Sequence, residues 1–218
     1  MFNLKTKLLQ LFLKDREKTA RLIDTVTDIL QKGGVVVIPT ETCYSLAVDA
    51  TNHQAVQKLF DLGVIRGPGT NVIVADLRMA KEYGDVKAHA EHLANSFMPG
   101  PLTLVVERRE DSLLSPIISD DRSFSFRVSS NLFTRALSSE LGKPITVFIV
   151  NNEALYSIRE VTAKFDGKVD AIVNAGELPQ ILPSTIIDTR NDSIALIRAG
   201  PLSLEEIKAE LASNPVPG

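Results

Sequence analysis

The sequence predicts one α/β domain built on a mixed sheet. Segments with the apolar spacing of helices interleave with short β-branched runs along the whole chain. No internal repeat, low-complexity tract or linker divides it. At 218 residues, 44% hydrophobic and 23% charged, the chain can bury a large core without disulfides or a structural metal.

The elements follow in order. Leu22, Ile23, Val26, Ile29 and Leu30 recur at helical spacing, and Gly33-Gly34 stops that helix. Val35 to Ile38 is too short and too β-branched for a helix and reads as a buried strand ending at Pro39. A helix from His53 to Leu62 places Ala55, Val56, Leu59 and Phe60 on one side, and Val72 to Ala75 gives the next buried strand. A helix over Ala88 to Phe97, the turn Pro99-Gly100-Pro101 and a strand from Leu102 to Glu107 come next. Residues 109 to 122 read as a loop. Phe124 and Phe126 then alternate with Ser123 and Ser125 before Arg127, the period of a half-exposed strand. A helix from Leu132 to Leu141 leads through Gly142 to the run Ile145 to Val150. Ala171 to Val173, Thr185 to Asp188 and Ile194 to Ile197 fit further strands. Leu202 to Leu211 closes the chain as an amphipathic helix, with Ser203 as N-cap and Glu206 in the capping-box position. The tail from Ser213, with two prolines, is expected to fray.

Composition narrows the functional classes. Cys43 is the single cysteine, so neither an internal disulfide nor a thiolate metal cluster is available, which points to a reducing compartment. The N-terminal residues interrupt their apolar positions with Lys5, Lys7, Lys14, Asp15 and Arg16, unlike a signal peptide. No uncharged apolar stretch approaches the roughly 20 residues that cross a bilayer. A cytoplasmic protein without a membrane partner is the expectation. With 24 basic and 27 acidic side chains and a net charge of −3, nothing global favours duplex nucleic acid. An anionic ligand calls for a local basic pocket.

The common nucleotide and hydrolase signatures are absent: no P-loop, no Gly-x-Gly-x-x-Gly after a strand, no Gly-x-Ser-x-Gly elbow. His89 and His92 sit three apart on a predicted helix, but no third ligand completes a metal site, and a solvated helix face is the simpler reading. Cys43 has no histidine near it in sequence to act as base, which favours a small buried side chain over a nucleophile. Pro39-Thr40-Glu41-Thr42-Cys43-Tyr44-Ser45-Leu46 crowds hydroxyls, a carboxylate and a phenol where a strand meets a loop. That is where α/β sheets place ligands, and equally where side chains hold a turn. Arg66-Gly67-Pro68-Gly69-Thr70-Asn71 sets a guanidinium beside a loop rich in backbone N–H groups, suited to phosphate. Pro183-Ser184-Thr185 and Ile197-Arg198-Ala199-Gly200 add hydroxyls and a cation at predicted strand ends.

Together these segments resemble the Sua5/YrdC/YciO family of L-threonylcarbamoyladenylate synthases, over about Gly33 to Leu211. Pro39 to Leu46 is similar to the family's Pro-Thr-Glu/Asp-Thr-x-Tyr-Gly-Leu. Pro99 to Thr103 matches Pro-Gly-Pro-Leu-Thr, Ser184 to Asp188 matches Ser-Thr-Val/Ile-Val/Ile-Asp, and Ile197 to Gly200 is similar to Leu/Ile-Arg-Pro-Gly. The resemblance implies a twisted mixed sheet with flanking helices around a basic cavity, a single domain with residues 1 to 20 as an N-terminal extension. It implies that threonine, bicarbonate and ATP are joined into threonylcarbamoyl-AMP and pyrophosphate, the precursor of a modified tRNA adenosine. Thr42 and Arg127, with Ser184 alongside, would hold threonine. Arg66, Asn71, Ser123, Asn151 and Arg198 would hold ATP or its phosphates, with Arg66 also in the catalytic role and Mg²⁺ accompanying the triphosphate. RNA or tRNA-modification proteins are the implied partners.

The chain departs from the family pattern at several positions. Val64 stands where the family's Lys-x-Arg has lysine, with Lys58 upstream as a candidate substitute. Ile149 replaces the serine of Ser-x-Asn and cannot hydrogen-bond. Ser45, Ala175 and Ile181 replace glycines, and Asp76 replaces a histidine expected near threonine, where a carboxylate would repel the substrate. Three readings therefore stand: an active synthase, a paralogue that keeps the cavity and binds a nucleotide, RNA or another anion, and an interaction protein in which the motifs serve folding alone.

Overall fold

The computed structural model describes residues 5–64, 71–118, 122–149 and 153–213. Two mixed sheets form the frame, where the sequence analysis anticipated one. In the first, β1 (Lys7–Gln10), β9 (Ala171–Asn174), β2 (Val36–Pro39) and β3 (Tyr44–Ala47) lie side by side in that order. The second runs β11 (Ala195–Arg198), β10 (Thr185–Asp188), β6 (Leu102–Arg108), β7 (Ser123–Arg127), β4 (Asn71–Ile73), β8 (Ile145–Val147), with the short β5 (Gly84–Asp85) on β6. Isolated backbone bridges join β3 of the first sheet to the chain beyond β8, from Leu46 to Phe148 and from Tyr44 to Leu155.

Among the described residues, seven α-helices cover the sheets. They are α1 (Arg16–Gln31), α2 (His53–Asp61), α3 (Leu77–Tyr83), α4 (Ala88–Phe97), α5 (Leu132–Leu141), α6 (Ile158–Phe165) and α7 (Leu204–Ser213). Short polar side chains start several of them: Asp15 caps α1, Asn52 caps α2 and Asn131 caps α5, each accepting from a backbone N–H two or three residues into the helix. The capping box expected at Ser203 is present, with Glu206 N–H donating to Ser203 Oγ at 3.1 Å and Ser203 N–H to Glu206 Oε2 at 2.8 Å. Ser157 and Glu160 form a second one on α6, an element the sequence analysis did not anticipate.

Leu22, Val26 and Leu30 of α1 pack with Phe133, Leu137 and Leu141 of α5 over Ile38, Ile73 and Ile145. The larger cluster joins Ala55, Val56 and Leu59 of α2 and Leu93 of α4 to Leu104, Val106, Phe124 and Phe126. The half-exposed strand expected over residues 123–127 is instead buried on both faces. Ser125 and Arg127 are covered like the phenylalanines. Their face is polar because it looks into the site, not because it meets bulk solvent.

Candidate ligand site at the strand ends

Strand alternation assembles one polar surface. Phe126 pairs with Leu104 and faces the large core, so Ser123, Ser125 and Arg127 face the other way. Register carries Thr103 of β6 and Arg198 of β11 onto that same face, since both pair with Ile186. Asn71 of β4 shares it, two residues before Ile73, the partner of Arg127. Two turns then lock the strand ends. Gly100 N–H donates to Val128 O at 3.1 Å and Thr185 N–H to Pro101 O at 2.9 Å, so the Pro99-Gly100-Pro101 turn ties the Arg127 end of β7 to the Ser184 end of β10.

Ser184 is 2% exposed. Its hydroxyl lies 2.8 Å from Thr103 Oγ1, and Arg198 embraces it, with Nη2 donating to Ser184 O at 2.9 Å and to Ser184 Oγ at 3.1 Å. The loop between β2 and β3 contributes the facing side. Thr40 Oγ1 donates to Cys43 O at 2.8 Å and lies 3.0 Å from Thr42 Oγ1, which makes this loop a rigid hydroxyl-lined turn. Both readings of the Pro39 to Leu46 segment are therefore realised: it is a self-bonded turn, and it borders the two arginines.

Arg127 is 3% exposed. Its Nη1 lies 3.3 Å from Glu41 Oε1, near enough for charge attraction but misaligned for a hydrogen bond, so Nε and Nη1 have no hydrogen-bond partner. Glu41 is meanwhile held by Ser129 Oγ at 2.6 Å and Ser130 N–H at 3.3 Å. Burial works against the charge on Arg127, while Glu41 beside it favours that charge. Burial likewise disfavours the charge on Arg198, and the neighbouring Arg127 adds to the effect. A buried guanidinium with bare N–H groups, Arg127, and a half-buried one that repels it, Arg198, form a cradle for a carboxylate or phosphate. Such donors left unpaired cost about 1–3 kcal/mol each, a cost that an anionic ligand removes.

Cys43 is 2% exposed, and burial pushes its thiol up despite contacts to Ser45 and Thr42 and the charges of Arg127 and Arg198. No thiolate nucleophile is available at neutral pH. Native protein at pH 8 is therefore expected to resist iodoacetamide at Cys43, whereas denatured protein reacts. Rapid alkylation of the native state would contradict the burial. The linkage has a definite sign. A thiol whose folded pKa is raised stabilises the fold fully below its ordinary pKa and loses that contribution as pH rises through the raised one.

Of the residues singled out in the sequence, Thr42, Arg127, Ser184 and Arg198 gather at these strand ends. Asn71 lies on the same face, with a buried Oδ1 that has no hydrogen-bond partner. Ser123 shares the face too, but sits four residues from Arg127, about 13 Å at some 3.3 Å per residue. Arg66 and Asn151 lie outside the described residues. Lys58 does not stand in for the missing lysine: its ammonium donates to Gly33 O at 2.6 Å, at the far end of β2 from Thr42. Val64 is 7% exposed among apolar neighbours. Asp76 serves as the N-cap of α3, accepting from Met79 N–H at 2.8 Å. His89 and His92 are not a solvated face. His89 Nε2 meets Thr189 O and His92 Nε2 meets Glu210 Oε1, each at 3.0 Å. Glu41 and Thr103 stand in segments that the sequence analysis quotes without giving them a role, and Ser125 is given none either. The signal for Ser125 was present in its place two residues before a strand arginine.

The Sua5/YciO/YrdC family model, described as telomere recombination, matches residues 28–200. The chain belongs to that family. It is 23% identical over 205 residues to a Methanocaldococcus jannaschii protein provisionally named threonylcarbamoyl-AMP synthase, covering 94% of this chain and 98% of that one. Sua5 of P. abyssi, solved in complex with L-threonine, superposes with a TM-score of 0.80 at 26% identity, over 94% of this chain and 60% of that one. The chain thus spans less than two thirds of that Sua5. E. coli YciO shares the fold with a TM-score of 0.79 at 23% identity, over 93% and 98% of the two chains. Among the described residues, no helix is long and apolar enough to cross a membrane.

Proposed function

We propose that the chain is a threonylcarbamoyl-AMP synthase, with Arg127 receiving the threonine carboxylate. The observation that carries this reading is a buried guanidinium with two unpartnered nitrogens beside Thr42, Ser184 and Arg198. A guanidinium fork matches a carboxylate, and the hydroxyls of Thr42 and Ser184 match the polar remainder of the amino acid. The threonine amine would attack CO₂ or bicarbonate, and the resulting carbamate oxygen would attack the α-phosphorus of ATP, releasing pyrophosphate. The protein's part is positioning and charge neutralisation, without a covalent intermediate. Arg198 and Asn71, together with Arg66, Asn151 and Ser123, would take the nucleotide. Among the described residues no three His, Cys, Asp or Glu side chains gather as a metal set. The donor set therefore fits Mg²⁺ arriving on the triphosphate oxygens better than a protein-made cage. The product would pass to a tRNA-modifying step in the cytoplasm, with RNA or its modification proteins as partners.

Val64 favours a second reading. An apolar side chain embedded in the core supplies no phosphate contact, which suits a paralogue that keeps the cavity for another anion. Calorimetry with Mg²⁺-ATP separates the roles. Arg66→Ala is expected to abolish ATP binding, and unchanged affinity would remove Arg66 from the nucleotide site. Pyrophosphate release that needs ATP, threonine and bicarbonate together supports the synthase. ATP binding without such release supports the paralogue.

A further inference from the structure

At the opposite end of β2 from Thr42, a cleft of about 280 Å³ is lined by Lys5, Lys7, Lys32, Lys58, Asp28 and Asp170, together with Gly34. From Gly34 to Thr40 the chain runs six residues, mostly as strand, which separates the cleft from the arginine site by about 20 Å. We infer that this cleft is a second anion site that takes a phosphate group, independent of the arginine cradle.

The charges decide its sign. Asp28 is occupied by Lys32 at 2.7 Å, and Asp170 accepts Val35 N–H at 2.8 Å. Lys58 spends one of its three N–H donors on Gly33 O at 2.6 Å. Lys5 and Lys7 have no acidic partner among the described residues. Four ammonium groups against two carboxylates leave the cleft two charges positive, in a chain whose total is −3. Like charges held together repel, and a multivalent anion relieves that repulsion where a single carboxylate relieves half as much. Clustered ammonium groups, compact and rotatable, suit phosphate oxygens as point charges. The volume is at the small end of ligand pockets and is enough for a phosphate or diphosphate.

The cleft is also built rather than incidental. Lys7 sits on β1, whose backbone is fixed by parallel pairing with β9 and by Lys7 N–H donating to Asp170 O at 2.9 Å. Thr6 Oγ1 donates to Val169 O at 2.6 Å and accepts from Gly167 N–H at 2.9 Å, which pins the approach to that strand. Lys5 and Lys7 lie before the family-matched residues 28–200, so two of the four cations come from outside that domain.

The phosphate comes from one of two sources, a free phosphorylated molecule or an RNA backbone. Amide signals of Gly34 and Val35 in ¹⁵N-labelled protein, titrated at low salt and fixed ionic strength with sodium pyrophosphate and separately with a uridine octamer, distinguish them. The expected result is saturable shifts with at least one probe. That affinity should fall at least fivefold in Lys5→Gln/Lys7→Gln and stay within twofold in Arg127→Ala. Saturation by pyrophosphate alone assigns a free ligand, and tighter binding of the octamer assigns RNA. No shift with either probe, or equal affinity in the double variant, overturns the inference. Both lysines are exposed, and the spectrum of the double variant itself reports whether the fold is kept.

Discussion

Replacing Arg127 by alanine is expected to raise the threonine dissociation constant about a hundredfold while leaving ATP affinity within about threefold. Hydrogen bonds to charged groups contribute about 1.5–3 kcal/mol, and a forked contact to a carboxylate supplies two of them. Arg127 has its Nε and Nη1 bare and buried, so little besides Glu41 competes with the ligand for them. Arg127→Lys keeps the charge and loses the fork, and should recover only part of the loss. Glu41 remains bonded to Ser129 and Ser130 in both variants, which protects the local fold. Calorimetry with threonine and with ATP checks the split. An equal loss for both ligands would show that Arg127 serves the nucleotide instead.

Gly200→Ala is expected to destabilise the protein by about 2–3 kcal/mol and to disable the site together with the fold. A Cβ at Gly200 would lie 2.3 Å from Thr185 N, 2.4 Å from Pro183 O and 2.6 Å from Ser184 C. All three are backbone atoms of the strand start that carries Ser184, and none can swing aside as a side chain would. Relief requires the end of β11 to move away, which breaks the Arg198 hydrogen bonds to Ser184. At roughly 2–4 °C per kcal/mol for a chain of this size, the melting temperature should fall by about 5–10 °C. An unchanged melting temperature would contradict the close approach. Gly200 is thus the physical reason for the Arg-x-Gly spacing: the arginine can close over Ser184 only if the next turn has no side chain.

Much of this was legible in the sequence, and the exceptions have physical causes. Ala88 to Phe97, Leu132 to Leu141 and Thr185 to Asp188 appear with the anticipated bounds because apolar period and flanking stop signals agree there. The sequence analysis does not anticipate Tyr44–Ala47 as a strand because its hydroxyl and aromatic residues read as a loop, although pairing with β2 and bridges to Phe148 and Leu155 hold them as one. Residues 7–10 alternate apolar and polar side chains too weakly to announce a strand, and only pairing with β9 makes them one. Thr42, Arg127, Ser184 and Arg198, which the structure brings together, are the residues that the family resemblance implies. Glu41 was seen as one polar residue among several, because its tie to Arg127 joins positions 86 apart and no local pattern encodes that. The misreading of residues 123–127 has the same origin, since alternation reports two different faces but not what each face meets.

The most direct test supplies purified protein with Mg²⁺-ATP, threonine and ¹³C-bicarbonate and follows the adenylate products by mass spectrometry. The account predicts threonylcarbamoyl-AMP carrying the labelled carbon, formed only when all three substrates are present and lost in Arg127→Ala. Absence of any labelled adenylate from protein that binds both ATP and threonine would contradict it.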